Sequence, residues 1–135
     1  GLNSILNLEL REKNALVYHV ESNYQGYTDA GLWQVYLGTE KKQSEKALKL
    51  VRQILKKVKE KKLGVLQLHL AKKQLVGHIA LSQENTLSNM MSLAKSLLVY
   101  GHIDSDEIND ISDTQIMEVA NEIFQEENLS TLIYK

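Results

Sequence analysis

At 135 residues with 43% hydrophobic side chains, the chain carries enough apolar material for one folded core and lacks the composition of a disordered segment. Its net charge of −1 excludes a molecule built as a whole to coat nucleic acid or an anionic membrane. The absence of cysteine excludes disulfides and thiolate metal sites and leaves cytoplasm and periplasm equally open.

No apolar run reaches the roughly 18 residues that a membrane-spanning helix needs. Gly1-Leu2-Asn3-Ser4 does not open like a signal peptide and has no methionine, so the chain is expected to be cut from a longer one. Leu2, Ile5, Leu6 and Leu10 recur at helical spacing and predict an amphipathic helix over residues 3–13. From Ala15 the period falls to two. Leu16, Tyr18 and Val20 then share one face and Val17, His19 and Glu21 the other, which predicts a strand. Turn chemistry at Gly26-Tyr27-Thr28-Asp29 leads into the β-rich run Leu32-Trp33-Gln34-Val35-Tyr36-Leu37, closed by Gly38, and the pair reads as an antiparallel hairpin.

Ala47, Leu50, Val51, Ile54, Leu55 and Val58 mark a helix over residues 43–62, with Gly64 as its terminator. Leu68, Ala71, Leu75, Ile79 and Ser82 trace the inner face of the next helix, which tolerates Gly77 at about 1 kcal/mol. Thr86 is a candidate cap for a third helix, whose stripe is Leu87, Met90, Met91, Ala94, Leu97 and Leu98 before Gly101 stops it. A short helix is expected within Asp104 to Asp110. Ser112 with Gln115 forms a capping-box signature ahead of Ile116, Val119, Ala120 and Ile123. The run from Leu129 to Tyr134 is expected to be a last strand. This order predicts a single α+β domain over 1–135, with helices on one face of a mainly antiparallel sheet. Three strands are few for so many helices, and a further strand is expected upstream of Gly1.

Charge is unevenly placed. Residues 41–62 hold ten cations against Glu45 and Glu60, a balance of +8, whereas residues 104–127 hold nine carboxylates and no lysine or arginine. One reading is a structural or protein-interaction domain whose basic helix (41–62) meets an anionic partner. Two solvated helix faces account for the same pattern, and no aromatic interleaving or groove-reading motif points to nucleic acid.

The catalytic inventory is short. His19, His69, His78 and His102 are present, but neither H-x-x-E-H nor H-E-x-x-H occurs, and there is no G-x-S-x-G elbow or glycine-rich phosphate loop. His69 and His78 lie nine positions apart on one predicted helix and point to different sides. His19 and Glu21 share a strand face and can pair, yet a metal there lacks further ligands. On residues alone the domain has no metal site, no cofactor and no catalytic group of its own.

Several segments together resemble the insulinase/pitrilysin family of zinc metallopeptidases. They are Leu10-Arg11-Glu12-Lys13, Ala15-Leu16-Val17-Tyr18-His19-Val20, Asp29-Ala30-Gly31-Leu32 and Tyr36-Leu37-Gly38-Thr39, followed by residues 71–77 and 111–120. The resemblance implies paired homologous α+β domains closing around a peptide, with zinc held by H-x-x-E-H in one half. This chain lacks that motif and is similar to the other, C-terminal and non-catalytic half. A zinc-bearing homologous domain, in the same chain or a partner subunit, is then the implied partner, zinc its cofactor and a peptide the substrate, with no nucleic acid and no membrane span.

The resemblance also implies that Arg11 and Tyr18, seven positions apart, reach the substrate. Tyr18 would donate to the scissile carbonyl oxygen or the tetrahedral intermediate, and Arg11 would hold a backbone carbonyl. The residues by themselves equally allow Tyr18 to cover the core beside Leu16 and Val20, and Arg11 to be a favourable cation near a helix C-terminus. Ile5, Asn7, Asn14 and Leu66 depart from the family pattern around the helix entries.

Overall fold

The computed structural model describes residues 4–103 and 108–134. The Ser4 hydroxyl accepts the Asn7 backbone N–H at 3.3 Å and opens α1 (Ile5–Asn7), which widens into a π-helical stretch over Leu8–Lys13. The expected first helix is therefore present, with a looser second half. Its exit resembles a Schellman ending in which each closing bond spans one residue more than usual, as π winding requires. Leu16 N–H donates to Leu10 O at 2.8 Å and Ala15 N–H to Arg11 O at 3.0 Å. Ala15 takes the left-handed conformation at φ 49° that glycine or asparagine usually fills.

β1 (His19–Gly26) and β2 (Gly31–Gly38) pair antiparallel, from His19 opposite Gly38 to Gly26 opposite Gly31. The strand starts at His19 and not at the expected Ala15, because residues 15–16 are still bonded back to the helix. This shifts the first inward residue as well: Val17 is buried and Tyr18 is exposed, the reverse of the simple alternation. Val20, Trp33, Val35 and Leu37 turn inward onto Leu6 and Leu10 from the first helix and onto Ala47, Val51, Ile54 and Leu55 of α2 (Ser44–Glu60). Phe124 closes that core, its ring centroid 4.5 Å from Trp33 at 54°. The architecture is α+β, as the sequence predicts, and within this core the first helix and α2 pack on one face of the antiparallel hairpin.

The described chain divides into two compact units, residues 1–61 with 117–135, and residues 62–116. The core above belongs to the first. The second holds α3 (Val65–Glu84), α4 (Thr86–Tyr100), a 3-10 turn at Ile108–Asp110 and the start of α5 (Asp113–Ile123). Of the short helix expected within Asp104 to Asp110, the described part is that one turn, and 104–107 lie outside the described residues.

Two predicted boundaries shift and a third holds. Gly64 does not end α2, which stops at Glu60. It precedes α3 instead, its N–H donating to Gln67 Oε1 at 3.2 Å. Asn85, not Thr86, caps α4, Oδ1 accepting from Ser88 N–H at 3.0 Å. Gly101 ends α4 at φ 75° as its position suggests. Neither α3 nor α4 buries a residue, and Leu97 on the predicted inner stripe is 57% exposed. Two helices joined through one residue cover each other along a single seam, too little to bury stripes this broad.

Among the described residues the predicted last strand does not form. Residues 129–134 carry no regular secondary structure and pair with no described strand, and a strand requires ladder partners. A short 3-10 turn, Glu126–Asn128, precedes them.

The Ser112–Gln115 capping box forms in both directions. Gln115 N–H donates to Ser112 Oγ at 3.2 Å and Ser112 N–H to Gln115 Oε1 at 2.7 Å. Ser112→Ala is expected to lower stability by about 1 kcal/mol through loss of the cap, with Ser112→Thr retaining most of it; urea unfolding midpoints read both.

Candidate functional site

The site suggested by the sequence lies where the first helix runs into β1. Buried residues hold that junction from beneath: Leu10 is fully buried and Val17 is 6% exposed, which fixes the backbone on either side. The end of β2 grips it from the other side. Tyr18 N–H donates to Gly38 O at 2.8 Å, and Thr39 Oγ1 donates to Leu16 O at 2.5 Å. Between these anchors two polar side chains project outward.

Tyr18 is 67% exposed and takes no part in the core. Its hydroxyl donates to Glu40 Oε1 at 2.6 Å, and this bond to a carboxylate raises the phenol pKa above its ordinary value, with burial and the carboxylate's charge acting in the same direction. Arg11 lies in the π-helical stretch, its side chain 47% exposed and its Nε 3.9 Å from Glu12 Oε1. Each of the two predicted residues thus engages a carboxylate of its own. On the same helix Lys13 Nζ meets Glu9 Oε1 at 2.7 Å, a hydrogen bond that lowers the Glu9 pKa.

His19 and Glu21 do share the outer strand face, with Nε2 and Oε2 3.4 Å apart and the His19 ring 5.9 Å from that of Tyr36. They remain a pair: among the described residues no three histidine, aspartate or glutamate side chains gather as a metal would need, so the donor set does not fit zinc. His69 and His78 are both exposed on α3. Among the described residues no helix is long and apolar enough to cross a membrane.

The cations of residues 41–62 mostly face solvent. Lys46, Lys49 and Arg52 are exposed on the side of α2 away from its buried stripe. Lys56 meets Glu60 at 3.7 Å, and Lys62 reaches the acidic segment at Asp113, 3.8 Å away. α2 carries no aromatic side chain on which a base would stack.

The sequence profile of the family described as "Peptidase M16 inactive domain" matches residues 1–75, more than half of the chain and all of the helix-to-hairpin junction. The chain belongs to the peptidase M16 inactive-domain family. The likeness to insulinase/pitrilysin zinc peptidases drawn from the motifs holds at that level.

An uncharacterized zinc protease of Bacillus subtilis is 29% identical over 138 residues, covering 98% of this chain and 34% of that protein. Another, from Streptomyces coelicolor, is 38% identical over 101 residues, covering 75% of this chain and 22% of its own length. The chain therefore spans about a third or less of the curated relatives it matches. Among solved structures, a peptidase M16 inactive domain from Pseudomonas fluorescens superposes with a TM-score of 0.75 at 23% identity, over 90% of this chain and 30% of that one. A protease from Helicobacter pylori gives 0.78 at 20% identity, over 93% and 32%. Both show the fold of this M16 inactive domain.

Glu40 is the site residue that sequence reasoning missed. It directly follows the hallmark segment Tyr36-Leu37-Gly38-Thr39, and that adjacency is the one available signal. It stands 22 positions from Tyr18, so only the hairpin closing on the helix exit brings the two together.

Proposed function

We propose that this M16 inactive domain is one half of a larger two-domain peptidase, closing a peptide-binding chamber against a zinc-bearing homologous domain and contributing Arg11 and Tyr18 to the bound substrate. The observation that supports this reading is the exposure of both polar side chains, each directly following a buried residue, Leu10 before Arg11 and Val17 before Tyr18, at a junction whose backbone is clamped. A clamped backbone limits the reorganisation needed when charge develops on the substrate to exchange of side-chain hydrogen bonds. The zinc of such a peptidase, and the water it activates, would belong to the partner domain.

Each side chain suits its proposed task. The Arg11 guanidinium has a fixed fork of N–H donors and no acceptor, which fits it to a peptide carbonyl. The Tyr18 phenol stays protonated far above neutral pH and can donate where a carbonyl oxygen becomes an oxyanion. Arg11 would bind ground state and transition state alike. Arg11→Ala in the complete protein is therefore expected to raise KM about fivefold or more with kcat changed less than about twofold. Steady-state hydrolysis of a quenched-fluorescent peptide mixture reads this, and unchanged KM and kcat would remove Arg11 from the substrate path.

A further inference from the structure

The Tyr18 hydroxyl has one proton, and that proton is directed at Glu40. A phenol oxygen in this state can still accept a hydrogen bond but cannot donate a second one. Tyr18 bonded to Glu40 thus offers lone pairs, which suit a peptide N–H. Donation to a peptide carbonyl or an oxyanion requires the bond to Glu40 to be given up first.

We propose that Glu40 is a positioning residue that holds the Tyr18 hydroxyl away from substrate, an autoinhibitory contact that stays in place when the peptide binds and is given up as negative charge develops on its carbonyl oxygen. The inference rests on the substrate-facing reading of Tyr18 above. Its geometric basis is that the contact is built in. The bonds from Tyr18 N–H to Gly38 O and from Thr39 Oγ1 to Leu16 O tie residues 38–39 to residues 16–18, which keeps Glu40 within reach whenever the hydroxyl is released. Exposure of both side chains makes the contact displaceable, because water competes for it and screens it. The raised phenol pKa fits a proton shared toward a carboxylate.

Glu40→Gln reverses the logic. An amide can donate its NH₂ to the phenol oxygen and leave the phenol O–H free for the substrate, whereas a carboxylate only accepts. In the complete protein labelled with ¹³Cζ-tyrosine, with the Tyr18 resonance assigned through Tyr18→Phe, Glu40→Gln is expected to move the Tyr18 titration to lower pH. On the quenched-fluorescent peptide mixture the same variant is expected to raise kcat about three- to tenfold, the span of one exchanged hydrogen bond, with KM little changed. An unmoved titration, or a kcat equal to or below wild type, overturns the role of Glu40. If Tyr18→Phe is impaired while Glu40→Gln matches wild type in both readouts, the role of Glu40 alone fails. If Tyr18→Phe turns over normally, the substrate-facing reading fails and the inference with it.

Discussion

Tyr18→Phe in the complete protein is expected to lower kcat about ten- to a hundredfold without shifting thermal unfolding. The substitution removes one hydroxyl and keeps the ring, so it isolates the donor. Fully enclosed oxyanion donors are worth about 10²–10³ in kcat. Tyr18 falls lower in that scale because its side chain is open to water in this chain, where competing solvent weakens any single hydrogen bond. Stability is spared because the ring lies outside the hydrophobic core and the one bond lost, to Glu40, is exposed. The double variant Tyr18→Phe/Glu40→Gln adds nothing to Tyr18→Phe, since Glu40 acts only through the missing hydroxyl, and double-mutant coupling of that size marks residues in one network. Measured kcat equal to wild type would return Tyr18 to a structural role.

Which parts of this molecule were legible in the sequence depends on the range over which each residue acts. α2 could be read because Ala47, Val51, Ile54 and Leu55 repeat every turn and are all buried on one side. The capping box at Ser112 and the αL stop at Gly101 could be read because each is settled within four residues. The hairpin was legible from its alternation, but its first residue was not. Strand periodicity begins on paper at Ala15, whereas the backbone there is still closing a helix, a state set by bonds to Leu10 and Arg11 and by one residue at positive φ. That local event decides the site, since it turns Val17 inward and Tyr18 outward.

Other features depended on partners distant in sequence. Glu40 looks like any loop carboxylate until the hairpin folds it against the helix exit. The apolar stripes of α3 and α4 predict burial, yet a stripe is a demand for a partner and does not contain one. The run 129–134 has the composition of a strand, but pairing is a property of two segments, and the described sheet has only β1 and β2. The pair Arg11 and Tyr18 was found through the order of family motifs; composition and periodicity gave it no distinction from a helix-end cation and a sheet tyrosine.

Leu10→Ala is expected to cost about 2–5 kcal/mol, the largest loss of any single leucine truncation among the described residues. Among the described residues Leu10 is the largest side chain with no exposure at all, and it lies where the first helix, β1 and α2 share one core. The cavity would be lined by elements packed into one core from three sides, which limits how far it can collapse. Leu10→Met preserves volume and is expected to lose less than about 1.5 kcal/mol, so urea unfolding of the two variants separates cavity from chemistry. The functional consequence is asymmetric. Arg11 depends on the packing of its helical neighbour, whereas Tyr18 is also held from the far side by Gly38 and Thr39. At a temperature where Leu10→Ala remains folded, the complete protein should therefore show the raised KM of Arg11→Ala with kcat largely kept. Equal losses in KM and kcat would mean that the helix exit and the strand move as one body.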